Sequence, residues 1–225
     1  MARKSKSRWQ RDPEGMRKRI LEAARDEFAR RGSDGARIER IARAARANKR
    51  MLYYHVGNKD ALYLEVLEGA YAHIRDAERE LNLEALAPSD AIARLIEFTW
   101  QYFIDYPEFM ALLNNENLHR ARYLKRSKKV KEMHSPFISL LADILRKGVA
   151  AGEFRSGIDP VQLYISIASL SYFYLSNNAT LSTIFGRDLM SADARAKRLE
   201  HMTDLVLAAL RRGSTVKLDR LAAAS

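Results

Sequence analysis

The sequence predicts an all-α protein of about nine to ten helices, with a small three-helix domain at the N-terminus and a larger helical domain after it. Apolar residues recur every three to four positions through most of the 225 residues, which is the spacing of one helix face. Several such segments begin with a capping residue followed by proline, as at Asp12-Pro13 and Asp159-Pro160. Charge also divides the chain, since residues 1–60 contain 18 Lys and Arg against 8 Asp and Glu.

The rest of the chain contains 21 basic and 20 acidic side chains, so the first 60 residues carry +10 of the net charge of +11. This distribution favours a polyanion as the partner of the N-terminal domain. The absence of cysteine excludes disulfides and thiolate chemistry and fits a reducing compartment. No secretory signal and no membrane-spanning stretch is recognisable, so we expect a soluble, cytoplasmic protein with no membrane partner.

The first two helices are predicted from their caps and apolar stripes. Residues 1–11 are a flexible basic arm, which either contacts phosphates or is a solvated tail. The first helix begins at Asp12-Pro13-Glu14 and ends at Arg30-Arg31-Gly32, with an apolar stripe of Met16, Ile20, Ala24 and Phe28. The buried face of the second helix is Ile38, Ile41, Ala42 and Ala45.

A short basic helix follows a turn at residues 45–47. Asn48 is its expected cap, His55 is near its end, and Leu52 and Val56 point inward. Its outward residues are predicted to be Lys49, Arg50, Tyr53 and Met51. Such a helix is too short to be stable alone, but it fits the major groove of DNA, where cations at its start can reach guanine.

Asn58-Lys59-Asp60 then begins another helix, and its backbone N–H groups together with the Lys59 ammonium suit a phosphate. The alternatives within this region remain open. Met51 fills space or contacts a thymine methyl, and Arg40 and Arg43 belong to a solvated face. Tyr54 is assigned to the core or to packing between helices.

These residues carry a family resemblance. The segments RILEAARDEFARRG, IERIARAA and NKRMLYYHVGNKDALYLEVL resemble the N-terminal domain of the TetR family of bacterial transcriptional regulators. The resemblance implies a helix-turn-helix domain that reads DNA with the helix from Asn48 to His55, and phosphate contacts from Tyr53, Lys59 and His55. The chain departs from the family pattern at Ala36, at Val56 and at Arg46, where a turn glycine is usual. The predicted DNA-binding residues are Arg37, Arg46, Asn48, Lys49, Arg50, Met51, Tyr53, His55 and Lys59.

The predicted domains are a DNA-binding domain at residues 12–58, a helical effector-binding and dimerisation domain at 59–212, and a loose tail at 213–225. A connecting helix at 59–81 is a natural lever between the domains. Later helices begin at Pro88, at Tyr106-Pro107, at Asp159-Pro160 and near Ser191, and Ser135-Pro136 starts or kinks another. The basic run 120–131 is interpreted as a solvated face or a mobile connection.

The helix VQLYISIASLSYFYLSN is apolar nearly all round, so it must be covered on several sides, either by its own domain or by a second subunit. A dimer is favoured because two DNA-reading helices related by a two-fold axis match a palindrome and lie about 34–36 Å apart, or a multiple of this. The predicted dimer-interface residues are Leu170, Tyr174, Asn177, Leu199, Met202, Leu205, Val206 and Ala209.

An effector pocket is implied by the resemblance and by aromatic and amide side chains in the second domain. The candidate lining is Trp100, Phe103, Phe109, Met110, Leu113, Asn114, Asn117, Phe137, Leu141, Tyr164, Tyr172 and Phe173. Most aromatics at helical spacing are plain core. This domain is loosely similar to the regulators of pyrimidine and nicotinate breakdown, which suggests a nitrogen heterocycle or a small aromatic acid as effector.

The five histidines lack metal-ligand spacing, and no glycine-rich phosphate loop or serine nucleophile motif is present. The sequence therefore predicts no metal, no cofactor and no catalytic residues. We expect a homodimeric repressor that a small molecule releases from a palindromic operator. The alternatives are an all-α enzyme or small-molecule carrier whose basic head docks on acidic surfaces, and a nucleoid protein without sequence preference.

Overall fold

A computed structural model describes residues 12–211 and residue 213. The predicted arm at residues 1–11 lies outside the described residues, as does the predicted tail beyond residue 213. Within the described part the protein is helical, and its only β-type pairing is an isolated bridge between Phe154 and Arg211. The helices are α1 (Pro13–Gly35), α2 (Ile38–Ala44), α3 (Lys49–Val56), α4 (Lys59–Arg79), α5 (Pro88–Asp105), α6 (Pro107–Leu118), α7 (Lys128–Ala150), α8 (Pro160–Ser176), α9 (Asn178–Phe185) and α10 (Ala192–Leu210).

The predicted caps are present where helix starts were expected. Asp12 accepts a hydrogen bond from the N–H of Gly15, Asn48 from that of Met51, and Asn58 from that of Ala61, each at 2.8 Å. Asp159 caps α8 and Ser191 caps α10 in the same way. These bonds satisfy N–H groups that have no partner inside the helix, which fixes where each helix begins.

The described residues form two compact units. The first combines the chain up to His73 with Tyr106–Glu132, and the second combines Ile74–Asp105 with the chain from Met133 onward. Helix α4 therefore contributes residues to both units. The predicted boundary between residues 58 and 59 stays a prediction.

The core of the first unit is the predicted stripe of α1 packed against α2, α3 and the start of α4. Its fully buried side chains include Ile20, Phe28, Ile41, Leu52 and Leu62. Helix α6 packs against α1 in the same unit. Asn115 of α6 makes this contact specific, because its Oδ1 accepts hydrogen bonds from the N–H of Ser33 (3.0 Å) and the hydroxyl of Tyr63 (2.8 Å).

The break predicted near residue 32 occurs inside α1. Gly32 has φ +66° and ψ 177°, which interrupts the helix before it closes at Gly35. A side chain at this position would overlap the amide of Asn115. Glycine is therefore required here both for the backbone conformation and for the close approach of α6.

The structure decides between the two interpretations of Ser135-Pro136. Helix α7 does not start at Ser135-Pro136 but at Lys128, where the hydroxyl of Ser127 accepts a hydrogen bond from the N–H of Val130 (3.1 Å), and Pro136 lies inside the helix. The helix predicted after Asp159 is present as α8, and a separate short helix that the sequence did not predict, α9, follows it. Helix α7 ends at Ala150, shortly before Gly152, which has φ +76°.

The second unit buries a charged pair on α4. Arg75 and Glu78 are 4% and 2% exposed, and Nη2 of Arg75 donates to Oε1 of Glu78 at 2.7 Å. Burial raises the pKa of Glu78 to about 8, while the adjacent Arg75 acts in the opposite direction. The guanidinium only donates, so the hydrogen bond persists whether or not the carboxyl is protonated.

Glu78→Gln is expected to reduce the loss of stability between pH 5 and pH 8. The carboxyl binds its proton more tightly in the folded protein than at its ordinary value of 4.5, so its contribution is complete below that value and is lost as the pH rises towards 8. Glutamine cannot ionise. Between pH 5 and pH 8 the free energy of unfolding should therefore fall less in the variant than in the parent, and the two falls should differ by on the order of a few kcal/mol. Urea unfolding at both pH values measures this difference, and Glu80→Gln, at an exposed position just after α4, is the control. Parallel pH profiles for parent and Glu78→Gln would contradict the assignment.

Candidate nucleic-acid interface

The turn between α2 and α3 has a left-handed residue, although Arg46 occupies the position where a glycine is usual. Arg46 has φ +53°, the left-handed region in which glycine is preferred. Backbone hydrogen bonds surround it, from the N–H of Ala45 to the carbonyl of Ile41 (2.9 Å) and from that of Ala47 to the carbonyl of Ala42 (2.9 Å). These bonds and the buried Ala45 hold the turn, and the Arg46 side chain is exposed.

Helix α3 has one buried and one exposed face. Leu52 is fully buried and Val56 nearly so, which anchors the helix on the core of the first unit. Four residues at helical spacing on the opposite side are exposed, and we call them the outer face of α3: Lys49, Arg50, Tyr53 and Tyr54. The predicted projection of this helix from a packed domain is therefore present.

Tyr54 corrects a sequence-based assignment. It was expected in the core or between helices, but 85% of the side chain is exposed and its ring contacts the ring of His55 edge to face at 5.3 Å. Tyr54 lies two residues after Leu52 and two before Val56. Two residues are about half a turn of an α-helix, so Tyr54 is on the side opposite these buried residues. Tyr54 is thus a candidate DNA contact that its aromatic character alone did not predict.

The remaining predicted DNA-binding residues belong to the same unit. Arg37 and Asn48 are exposed, whereas Met51 and His55 are half-buried, and Met51 packs against the core. Arg50, Met51 and His55 line a shallow cleft of about 350 Å³ together with Asp12, Pro13, Met16, Asn48 and Tyr54. The described chain therefore begins, at Asp12, beside the helix that carries the outer face.

Lys59 is half-buried at the start of α4, and its ammonium donates to the backbone carbonyl of Asp34 at 3.3 Å. This contact fixes the side chain next to the capped N-terminus of α4, where backbone N–H groups favour an anion. Within the described residues, Arg50 forms no hydrogen bond or ion pair with the protein, so its guanidinium is available to a ligand.

Arg40 is a structural residue, not part of a purely solvated face. Its Nε donates to Oε1 of Glu27 at 2.6 Å, and the same oxygen accepts the backbone N–H of Arg37 at 3.1 Å. Burial acts to raise the pKa of Glu27, but these hydrogen bonds hold it below its ordinary value. The Glu27 carboxylate thereby fixes the start of α2 against α1.

Lys49 is partly neutralised by the protein itself. Its ammonium donates to Oε1 of Glu39 at 2.6 Å, and both side chains are exposed. The hydrogen bond from Lys49 lowers the pKa of Glu39, and the same bond raises the pKa of Lys49. Any DNA group at Lys49 would have to compete with this carboxylate.

Glu39→Gln is therefore expected to tighten DNA binding, by up to about fivefold. The variant removes a negative charge beside the outer face and leaves Lys49 without its competing anion. The plot of log affinity against log salt concentration should also steepen, because the freed Lys49 ammonium adds a cation at the DNA surface. Glu22→Gln, an exposed α1 position with the same charge change, is the control. An equal gain in both variants would show that net charge alone is responsible.

The predicted effector-pocket residues divide between the two units. Trp100, Phe103, Phe137 and Leu141 are buried in the second unit, with Tyr164 and Tyr172 half-buried. Phe173 was expected in a pocket but is 59% exposed, so it cannot line an enclosed cavity of the protomer. Residues from α6 belong to the first unit, and there Asn114 and Asn117 are exposed while Phe109 is buried.

Two predicted dimer-interface residues are also corrected. Met202 is fully buried and Val206 nearly so within the second unit, which leaves neither available to a partner. Tyr174 donates its hydroxyl to the carbonyl of Leu189 (2.8 Å) inside the same unit. Leu205 and Ala209 are exposed, while Leu170, Asn177 and Leu199 are half-buried.

In the described part of the chain, no helix combines the length and apolar character that a membrane crossing requires. Nor does that part contain three or more His, Asp or Glu side chains grouped so that they could hold a metal ion. What the first unit does present is an exposed helix face of two cations and two phenols.

Known proteins match both parts of the chain. Residues 20–66 match the family described as bacterial regulatory proteins, tetR family, and residues 88–206 match the tetracyclin repressor-like C-terminal domain. The repressor NicS of Pseudomonas putida is 39% identical over 196 residues, which is 87% of this chain and 92% of NicS. The repressor SCO4008 of Streptomyces coelicolor is 36% identical over 165 residues, 72% of this chain and 80% of that one. The structure of FadR from Bacillus subtilis in complex with stearoyl-CoA has the same fold, with a TM-score of 0.65 at 16% identity over 86% of this chain and 99% of FadR.

Proposed function

Because the chain belongs to the TetR family of DNA-binding transcriptional regulators, we propose that it is a homodimeric, non-enzymatic cytoplasmic repressor that a small molecule releases from a palindromic operator. The family membership gives the DNA-binding function. The operator symmetry, the dimer, the release and the individual contacts are inferred from the residues described above.

The observation that carries the proposal is the outer face of α3. Its cations and phenols point away from the core, on a helix that Leu52 and Val56 fix in place. The unit to which this helix belongs contains most of the excess positive charge of the chain. A helix of this kind fits the major groove, where arginine and lysine pair with guanine and tyrosine hydroxyls reach phosphates. Arg50 and Lys49 are assigned to bases. The phosphate contacts are assigned to Tyr53, Tyr54, His55, Lys59, Arg46 and Arg37.

The dimer is supported by apolar side chains left exposed in the second unit. Val161, Ile165 and Phe173 form a stripe along α8, and Leu205 of α10 is also exposed. An exposed apolar surface of this kind marks an interaction site in a soluble protein. A second copy that covers it would place two copies of α3 on one duplex, as a palindrome requires.

Release by an effector is assigned to α4. This helix contains residues of both compact units, so a ligand that changes the position of α4 in the second unit changes the first unit as well. A shift of a few Å between the two DNA-reading helices would cost the contacts of one half-site. No more than a small movement is needed.

The proposal is tested by selection of genomic DNA fragments on the purified protein. We expect the recovered fragments to share a palindrome whose half-sites are separated by one helical turn or a multiple of it. Recovery of fragments without a shared sequence would contradict the proposal and favour a non-specific nucleoid protein. Turnover of a metabolite by the protein, without any DNA recovered, would favour an enzyme or carrier with a basic docking head.

A further inference from the structure

The second unit contains a buried charged cluster that neither the outer face of α3 nor the exposed apolar surface uses. Arg75 of α4 donates from Nη2 to two acceptors, Oε1 of Glu78 at 2.7 Å and the hydroxyl of Tyr164 at 3.1 Å. The side chains of Arg75 and Glu78 are almost completely inaccessible to solvent. Three helices, α4, α7 and α8, contribute to this cluster.

Aromatic rings form the walls around the guanidinium. Its central carbon lies 4.3 Å from the ring centroid of Phe137 and 5.3 Å from that of Tyr164. The two rings also contact each other edge to face, with 5.3 Å between centroids. The faces of a guanidinium stack readily on aromatic rings, while its edges keep the N–H groups for hydrogen bonds.

The cluster is incomplete as a hydrogen-bonding system. Nε and Nη1 of Arg75 and Oε2 of Glu78 are buried and have no hydrogen-bond partner among the residues that the structure describes. These nitrogens carry three N–H groups, one on Nε and two on Nη1. Buried charged donors are costly when they are unpaired, which points to a partner outside the protein.

Charge indicates the sign of that partner. Burial raises the pKa of Glu78, so its carboxyl is mostly protonated at neutral pH and does not fully balance the guanidinium. The hydroxyl of Tyr164 is neutral in the same range, since a phenol ionises only near pH 10 and burial raises its pKa further. Arg75 is therefore a buried cation with unpaired donors, for which an anion is the complementary ligand.

We propose that Arg75 anchors an effector site for a small carboxylate with a planar aromatic ring. The carboxylate accepts hydrogen bonds from the unpaired N–H groups of Arg75, and the ring packs against Phe137 and Tyr164. This inference rests on the proposed function, because it gives the chemical class of the effector. It also places that effector directly on α4, where its carboxylate takes the N–H groups of Arg75 that Glu78 does not use.

The site is tested with two pairs of probes that differ only in charge: benzoate with benzamide, and phenylacetate with phenylacetamide. We expect each acid to raise the melting temperature of the full-length protein more than its amide does. Calorimetric titration of Arg75→Met should then show acid binding that is weaker by about tenfold or more, which is the loss of a charge-assisted hydrogen bond. The amides should change by less than about twofold.

Arg94→Met is the matched control. Arg94 pairs with Glu97 at the same three-residue spacing and the same 2.7 Å distance as Arg75 with Glu78, but both side chains are about half exposed. This variant should keep the preference for acids. If Arg75→Met fails to fold, the double variant Arg75→Gln with Glu78→Gln removes the guanidinium and the carboxyl and keeps polar side chains in place, and it should lose the preference.

Equal shifts with acids and amides in the parent protein would overturn the inference, as would an undiminished acid preference in the Arg75 variants. A gel-shift assay on recovered genomic fragments separates this failure from failure of the proposed function. Specific DNA binding without an acid preference refutes only the effector class. Loss of any sequence-specific binding refutes the regulator itself.

Discussion

Replacement of Arg50 by alanine is expected to weaken binding to the operator by about 1–3 kcal/mol, or roughly five- to 150-fold. Arg50 lies in the first turn of α3, is exposed, and forms no hydrogen bond or ion pair with other described residues. Its guanidinium can therefore pair with guanine without first breaking an intramolecular contact. The sequence preference at that base pair should also relax, because the discriminating pair is lost.

Two comparisons make this result specific to base recognition. Tyr53→Ala and Lys59→Ala should weaken binding to all operator variants alike, since phosphate contacts carry no sequence information. Arg30→Ala removes the same charge from an exposed position near the end of α1 and should leave the base preference intact. Titrations on operators altered at single positions measure both quantities. An unchanged base preference in Arg50→Ala would remove Arg50 from direct readout.

The second large effect concerns stability and does not depend on DNA. Gly148→Ala is expected to lower the free energy of unfolding by about 1–3 kcal/mol, because a methyl group at this position in α7 would overlap the ring of Phe154. That ring is 1% exposed and cannot easily move. The backbone N–H of Phe154 donates to the carbonyl of Gly148 at 3.1 Å, and the adjacent Arg155 N–H donates to the carbonyl of Leu210 at 2.7 Å.

Gly69→Ala provides the matched control, since Gly69 is also helical and a methyl group there meets no atom of the described residues within 4 Å. Its substitution should raise the free energy of unfolding by about 0.5–1 kcal/mol, the usual gain in helix propensity. Urea unfolding of both variants measures the difference. If Gly148→Ala were as stable as Gly69→Ala, the tight contact of α7 with Phe154 would be wrong.

Helix starts were the most predictable part of the fold, because a cap is a local interaction. Asp12, Asn48 and Asp159 satisfy N–H groups within three residues of themselves, so sequence spacing is sufficient to recognise them. Helix α7 shows where local spacing leaves two choices. Ser135-Pro136 resembles a helix start, but Ser127 is the residue whose hydroxyl accepts the N–H of Val130.

Helical period was a better guide than residue type on α3. An aromatic side chain suggested burial for Tyr54, yet its spacing from Leu52 and Val56 places it on the exposed side. The partner of a buried face is harder to predict. Nothing in the apolar spacing of α6 shows that it packs against α1, and Asn115 could be recognised only from its contacts with Ser33 and Tyr63.

The charged cluster at Arg75 could not be found from sequence at all. An arginine three residues before a glutamate on a helix is normally an exposed surface pair, and Arg94 with Glu97 is such a pair. Arg75 and Glu78 have the same spacing but are enclosed by Phe137 and Tyr164, which come from distant parts of the chain. Only tertiary packing distinguishes the two cases.

The central claim, that the outer face of α3 reads a DNA sequence, is tested most directly by competition binding at physiological salt. A fragment recovered from the genome is titrated against a duplex of the same length and composition with the palindrome scrambled. The account predicts a preference of about a thousandfold or more for the intact site. Affinities within about threefold of each other would leave only the non-specific electrostatic attraction of a basic domain, and would contradict it.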